Sequence, residues 1–199
     1  MKSVGAHVAS DGLALGNLAG TGDGGAAVVV FGDDTWSEGT QVPADSRFMA
    51  KHLYMPVMEP STFPELKDWI GLAFELSEQT RLYFAYLITS NQADGGGTVQ
   101  VRPNQYPTLT FKNPVTIETS AISTDDRVII PPHTTVKEVE VLEQRFPRLL
   151  ELVREHGINQ ILYPPDSGKK PIGFVTSGLT FCYLEHALTL ANLDGKIPI

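Results

Sequence analysis

The 199-residue sequence predicts an α/β protein built on a parallel sheet, incomplete in its first half and followed by part of a second α/β unit. Three observations carry that expectation. Ala26-Ala27-Val28-Val29-Val30-Phe31 and the segment Leu82 to Ile88 are apolar runs of strand length, as expected where both faces of a parallel sheet are covered. Between them lies a strongly periodic helix. The order strand, helix, strand then implies a right-handed parallel crossover.

In chain order, Val4 to Leu18 reads as a helix broken by Gly5, Gly12 and Gly16. The glycine cluster Gly20 to Gly25 is a loop, and the first strand ends at Gly32-Asp33-Asp34. A polar loop runs to about Arg47, a short helix covers Ser46 to Leu53, and Tyr54 to Met58 is a short strand. Thr62-x-x-Glu65 is a capping box with Pro64 tolerated in the first turn. Behind it, Leu66, Trp69, Ile70 and Ala73 recur at helical spacing, so the helix runs from Thr62 to Gln79. After the strand at 82–88, Thr89 to Gly97 reads as a polar loop.

From Arg102 to Pro132, five prolines punctuate short extended pieces. The expected organisation is residues 1–112 as the first unit, 113–135 as a linker and 136–199 as a partial second unit. Thr135-x-x-Glu138 opens a helix that Pro147 kinks or splits. Ile158 to Leu162, Ile172 to Thr176 and Lys196 to Ile199 are short strand candidates, with a helix marked by Phe181, Leu184, Leu188 and Ala191. Such small sheets leave edges that need covering. The sequence is therefore expected to be cut at both ends, or completed by another polypeptide.

Composition narrows the class. Apolar residues make up 42% and charged residues 19%, the profile of a globular protein. With 15 Lys plus Arg against 23 Asp plus Glu, the formal net charge is -8, which argues against nucleic acid as partner. No apolar run reaches the roughly 20 residues that span a bilayer. One cysteine, Cys182, excludes an internal disulfide or a multi-thiolate metal site from this chain, and a cytoplasmic location is the expectation.

Several motifs fail on context. Gly20-Thr21-Gly22-Asp23-Gly24-Gly25 fits G-x-G-x-x-G, but it precedes a strand instead of following one, so a turn wins over nucleotide binding. The same glycines could open the magnesium motif of thiamine-diphosphate enzymes, but the chain has no Asn-Asn pair to finish it. Val175-Thr176-Ser177-Gly178 lacks the first glycine of a nucleophile elbow. The five histidines show no metal spacing, and Cys182 sits among apolar neighbours as a structural thiol.

The loop from Gly32 to Arg47 stands out. It lies beyond the carboxyl end of the first strand, where open parallel sheets place ligands. Its side chains able to hydrogen-bond or carry charge, the candidates to line a cleft, are Asp33, Asp34, Ser37, Glu38, Thr40, Gln41, Asp45 and Arg47. Thr89, Ser90 and Asn91 at the end of the next strand could meet them. The competing view is two solvated loops with an Asp45 to Arg47 charge pairing.

The order of segments resembles the indolepyruvate ferredoxin oxidoreductases, a family of 2-oxoacid:ferredoxin oxidoreductases. The likeness runs from Met1 to Asp11 through Gly24 to Val30, Asp33-Asp34, Gln41, Asp45-Ser46-Arg47, Met55-Pro56-Val57, Glu59-Pro60-Ser61 and Ala73 to Ser77, then resumes at Pro171 to Gly178. The resemblance implies the later part of a thiamine-diphosphate pyrimidine-binding domain and the start of the next domain. It further implies a subunit that oxidatively decarboxylates an arylpyruvate to an acyl-CoA. Electrons would pass to ferredoxin, with thiamine diphosphate, Mg2+ and iron–sulfur clusters held largely by partner chains. No catalytic residue is assigned within this chain, and alone it is expected not to turn over.

The sequence departs from the family at the proposed site. Val42-Pro43-Ala44 replaces an Asn-Glu-Gln run, and Leu87, Asn91 and Asp94 stand where the family has Arg, Arg and His. Losing cations weakens recognition of an anionic substrate. These changes favour the alternative of a non-catalytic interaction or scaffold piece that keeps the fold.

Overall fold

A computed structural model describes residues 1–35, 43, 45–104, 112, 114, 116, 118–121, 128–164 and 172–199. Three parallel strands form its sheet: β1 (Ala27–Asp33), β2 (Val57–Met58) and β3 (Tyr83–Thr89), in the order β1-β3-β2. The fold is α/β, and the two long apolar runs are the strands expected. β3 lies in the centre and is the most buried strand, whereas Val30 of β1 is exposed. The chain start partly covers the outer edge of β1, where the Gly32 amide donates to the Met1 carbonyl at 2.8 Å.

Strand alternation divides the core into two layers. On one face, Phe84 and Tyr86 pack with Met58 against Ala73 and Leu76 of α3 (Phe63–Thr80). On the other, Ala85 and Leu87 pack with Phe31 against Ala6 of α1 (Ser3–Ala19) and Ala50 of α2 (Ser46–His52). The sheet is thus covered on both sides. α3 begins as its sequence demands: Thr62 Oγ1 accepts from the Glu65 amide, and the Glu65 carboxylate returns the contact to the Thr62 amide.

Four expectations are corrected. α1 is one continuous helix, because Gly16 serves packing: a Cβ there would stand 2.8 Å from the Tyr83 hydroxyl. The polar segment after β3 folds into α4 (Ser90–Asp94), capped reciprocally by Thr89 and Gln92. The helical segment after Pro132 is not opened by a Thr135 cap: it comprises α5 (His133–Glu140), which begins without a side-chain cap, a π turn (Val141–Arg145) and α6 (Phe146–Glu155). Pro147 is accommodated just beyond that widened turn, where its missing N–H costs least. Its Val141, Leu149 and Leu152 join Leu76, Phe84 and Tyr86, so this segment shares the first core. Finally, 158–162, 172–176 and 196–199 are not strands. Among the described residues, their pairing is limited to reciprocal bonds between Leu162 and Ile199 and one from the Phe174 amide to the Pro198 carbonyl. The helix expected around Phe181 is present as α7 (Leu179–Leu190).

Candidate active-site cleft

The carboxyl ends of β1, β2 and β3 point to one edge, and a cleft of about 70 Å3 lies there. Asp33 closes β1, Asp45 and Arg47 come from the start of α2, Glu59 follows β2, and Thr89 closes β3. The turn Ser177-Gly178 before α7 supplies the facing wall.

Each side chain is held by a local device. Asp33 is buried and accepts from the Ser46 amide at 2.8 Å and the Ser46 hydroxyl, so it fixes the start of α2. Asp45 caps α2 by accepting from the Arg47 amide at 3.0 Å. Its Oδ1 also accepts from Arg47 Nε at 2.8 Å, the charge pairing the loop sequence suggested. Burial pushes the Asp45 carboxyl up, but the hydrogen bonds and charge of Arg47 outweigh it and hold the group below its ordinary value. The same bond raises the Arg47 guanidinium, against burial and with help from Glu59.

Glu59 joins the two walls. Its Oε1 lies 3.7 Å from Arg47 Nε, and its Oε2 accepts from the Ser177 hydroxyl at 2.8 Å. Gly178 permits that approach: its φ is +54°, and a Cβ would lie 3.0 Å from Glu59 Oε2. Gln92 braces the floor, its Nε2 donating to the Pro60 carbonyl at 2.7 Å and its Oε1 accepting from the Thr89 amide at 3.0 Å.

Of the residues the sequence singled out, Asp33, Asp45, Arg47 and Thr89 meet in this cleft. Asp34 instead pairs with Lys2 at 2.7 Å. Ser90 opens α4 with its hydroxyl buried and unbonded among the described residues. Asn91 turns to a neighbouring cavity, donating to the Tyr183 hydroxyl at 3.1 Å. Ser37, Glu38, Thr40 and Gln41 lie outside the described residues. Gln92 belongs to the polar strand end the sequence pointed to, whereas sequence reasoning missed Glu59 and Ser177 as cleft residues. The T-x-x-Q spacing at 89–92 and the position of Glu59 after a parallel strand were the available signals.

The lining tests the thiamine-diphosphate assignment. Asp33, Asp45 and Glu59 set three carboxylates against the one guanidinium of Arg47, the wrong sign for a diphosphate. The volume is also far below the roughly 300 Å3 of ordinary small-molecule sites. The described residues form no cluster of three or more His, Cys, Asp or Glu side chains able to hold a metal ion. They do not fit the whole cofactor.

No family model matches the chain. No solved structure matches it either. Curated proteins do. Indolepyruvate oxidoreductase subunit IorA of Archaeoglobus fulgidus is 29% identical over 199 residues, covering 100% of this chain and 30% of that protein. The subunit of the same name from Methanothermobacter marburgensis is 28% identical over 202 residues, again 100% and 30%. That of Pyrococcus horikoshii is 28% identical over 203 residues, covering 98% of this chain and 29% of its own length. The chain therefore spans about 30% of the length of these relatives. From end to end the chain is thus similar to part of subunits that share one name, the IorA subunit of indolepyruvate oxidoreductase.

Proposed function

We propose that this chain forms one wall of the active-site cleft in an indolepyruvate-type 2-oxoacid:ferredoxin oxidoreductase and works only in assembly with partner chains. The observation that carries the reading is the gathering of Asp33, Asp45, Arg47, Glu59 and Thr89 at the carboxyl edge of the sheet, in a chain related throughout to IorA subunits. The reaction is the oxidative decarboxylation of an arylpyruvate to an acyl-CoA, with electrons leaving to ferredoxin. Thiamine diphosphate with Mg2+ and the iron–sulfur clusters belong to residues beyond this cleft, since its lining does not fit the cofactor. Thr40 and Gln41, which lie outside the described residues, are the residues proposed to hydrogen-bond cofactor or substrate.

This chain's own contribution is to position an anion. Among the described residues, Arg47 meets Asp45 and Glu59 through Nε, and the terminal nitrogens of its fork are the groups proposed to meet a substrate carboxylate. Asp45 and Glu59 hold the guanidinium plane, and Asp33 holds the helix that carries it.

The test is purification from the native host. Co-elution with chains bearing thiamine diphosphate and iron–sulfur absorbance, plus CoA-dependent reduction of ferredoxin by an arylpyruvate, is the expected result. A stable homo-oligomer without cofactor would instead support the scaffold alternative, which the engagement of Arg47 by the chain's own carboxylates favours.

A further inference from the structure

Beside the cleft, and sharing Gln92 and Leu179 with it, lies a second cavity of about 460 Å3. Its walls come from the first turn of α3, the glycines after α4 and one side of α7. The size falls within the usual range for small-molecule sites, roughly 300–1,000 Å3. Its chemistry is the opposite of its neighbour's: among the described residues, no charged side chain lines it. Phe63 and Tyr183 provide aromatic surface, and Leu66 and Leu179 aliphatic surface.

The polar groups on its rim are largely satisfied within the protein. Asn91 Nδ2 donates to the Tyr183 hydroxyl at 3.1 Å, and the Cys182 thiol donates to the Ser61 carbonyl at 3.4 Å. Burial, reinforced by the carboxylates of Glu185 and Glu65, pushes the Cys182 thiol up, so the wall stays neutral. The glycines are part of the wall's shape. A Cβ on Gly97 would lie 2.5 Å from the Phe63 ring, whereas one on Gly96 would meet nothing within 4 Å.

We propose that this cavity binds an uncharged small molecule with an aromatic body and one polar edge. A charged ligand would lose its hydration and gain no counter-charge from these walls. An aromatic ring can stack against Phe63 and Tyr183, and its polar edge can share the Asn91–Tyr183 hydrogen bond. The proposal concerns binding alone and holds whether or not the neighbouring cleft supports turnover.

The experiment uses the protein as purified from its host and the neutral photoprobe 3-trifluoromethyl-3-phenyldiazirine, followed by peptide mapping. Label is expected in 61–66, 91–98 and 179–183. Benzyl alcohol should suppress it at concentrations at least about tenfold lower than benzoate of the same size, because only the anion pays for lost hydration. Gly96→Phe, which puts a ring into the space beside Gly96 and occludes the cavity, and Tyr183→Ala, which removes aromatic surface and its apolar contact, should each cut labelling at least about fivefold. Circular dichroism and the unfolding midpoint of each variant should match the parent. Label outside these peptides, equal suppression by benzoate, or full labelling in two folded variants would each overturn the proposal.

Discussion

Arg145 Nη1 donates to the carbonyl oxygen of Asn17 at 3.0 Å across 128 residues of sequence. The guanidinium is buried and also reaches the carbonyls of Ala19 and Arg81, while Glu140 Oε1 accepts from its Nη2 at 2.6 Å and its Nε at 2.9 Å. One side chain thereby satisfies carbonyls at the end of α1 and fastens the π turn to the ends of α1 and α3. Replacing Arg145 by Met removes these donors and leaves Glu140 without its buried partner. The expected loss is about 3–5 kcal/mol, read from urea unfolding. A loss below about 1 kcal/mol would show that the network contributes no more than an exposed ion pair.

The same pair gives stability a pH dependence. Burial pushes the Glu140 carboxyl up, but hydrogen bonds from Lys137 and Arg145, with their charges, outweigh it and hold the group below its ordinary value of 4.5. A carboxyl with a lowered folded value stabilises the fold above its unfolded value, and that stability disappears as pH falls through the folded one. Unfolding free energy should therefore decline more steeply below about pH 4.5 in the parent than in Glu140→Gln. Parallel curves for the two proteins would rule out Glu140 as a source of the slope.

What could be foreseen from sequence divides by range. Thr62, Pro64 and Glu65 act within one turn, so the start of α3 was legible residue by residue. The apolar runs of β1 and β3 were legible because one local property, burial on both faces, fixes them. Gly16 was misread as a helix breaker because its reason is the Tyr83 ring, 67 positions away in sequence. The packing of Val141, Leu149 and Leu152 with Leu76, Phe84 and Tyr86 was illegible for the same reason, since a helix carries no mark of which core receives it. At the cleft, Asp33, Asp45 and Arg47 were visible as polar residues after a strand. Glu59 and Ser177 meet across 118 residues, and no local pattern announces that contact.

That contact is itself testable through Gly178. Its φ of +54° is a left-handed conformation, and a Cβ would stand 3.2 Å from Glu59 Cβ and 3.0 Å from its Oε2. Gly178→Ala should cost about 1–2 kcal/mol from backbone strain alone and push Glu59 off Ser177. Ser177→Ala removes the hydrogen bond without the strain, and its cost should stay near 1 kcal/mol. Equal stability of Gly178→Ala and the parent would show that the turn relaxes freely and does not press on Glu59.

The role assigned to Arg47 makes the sharpest demand on the cleft. In the proposed assembly, Arg47→Ala removes the fork proposed to meet the substrate carboxylate and is expected to lower kcat/KM for a 2-oxoacid by about 100-fold, the size of a lost charge-assisted bidentate contact. Arg47→Lys keeps the charge but not the planar fork, so it should recover only part of that loss. The substrate series separates binding from support of the loop: a 2-oxoacid should be affected far more than its uncharged ester, because only the acid uses the guanidinium. An equal loss for acid and ester would make Arg47 a brace for Asp45 and Glu59 alone. Unchanged kinetics in Arg47→Ala would remove this wall of the cleft from substrate recognition.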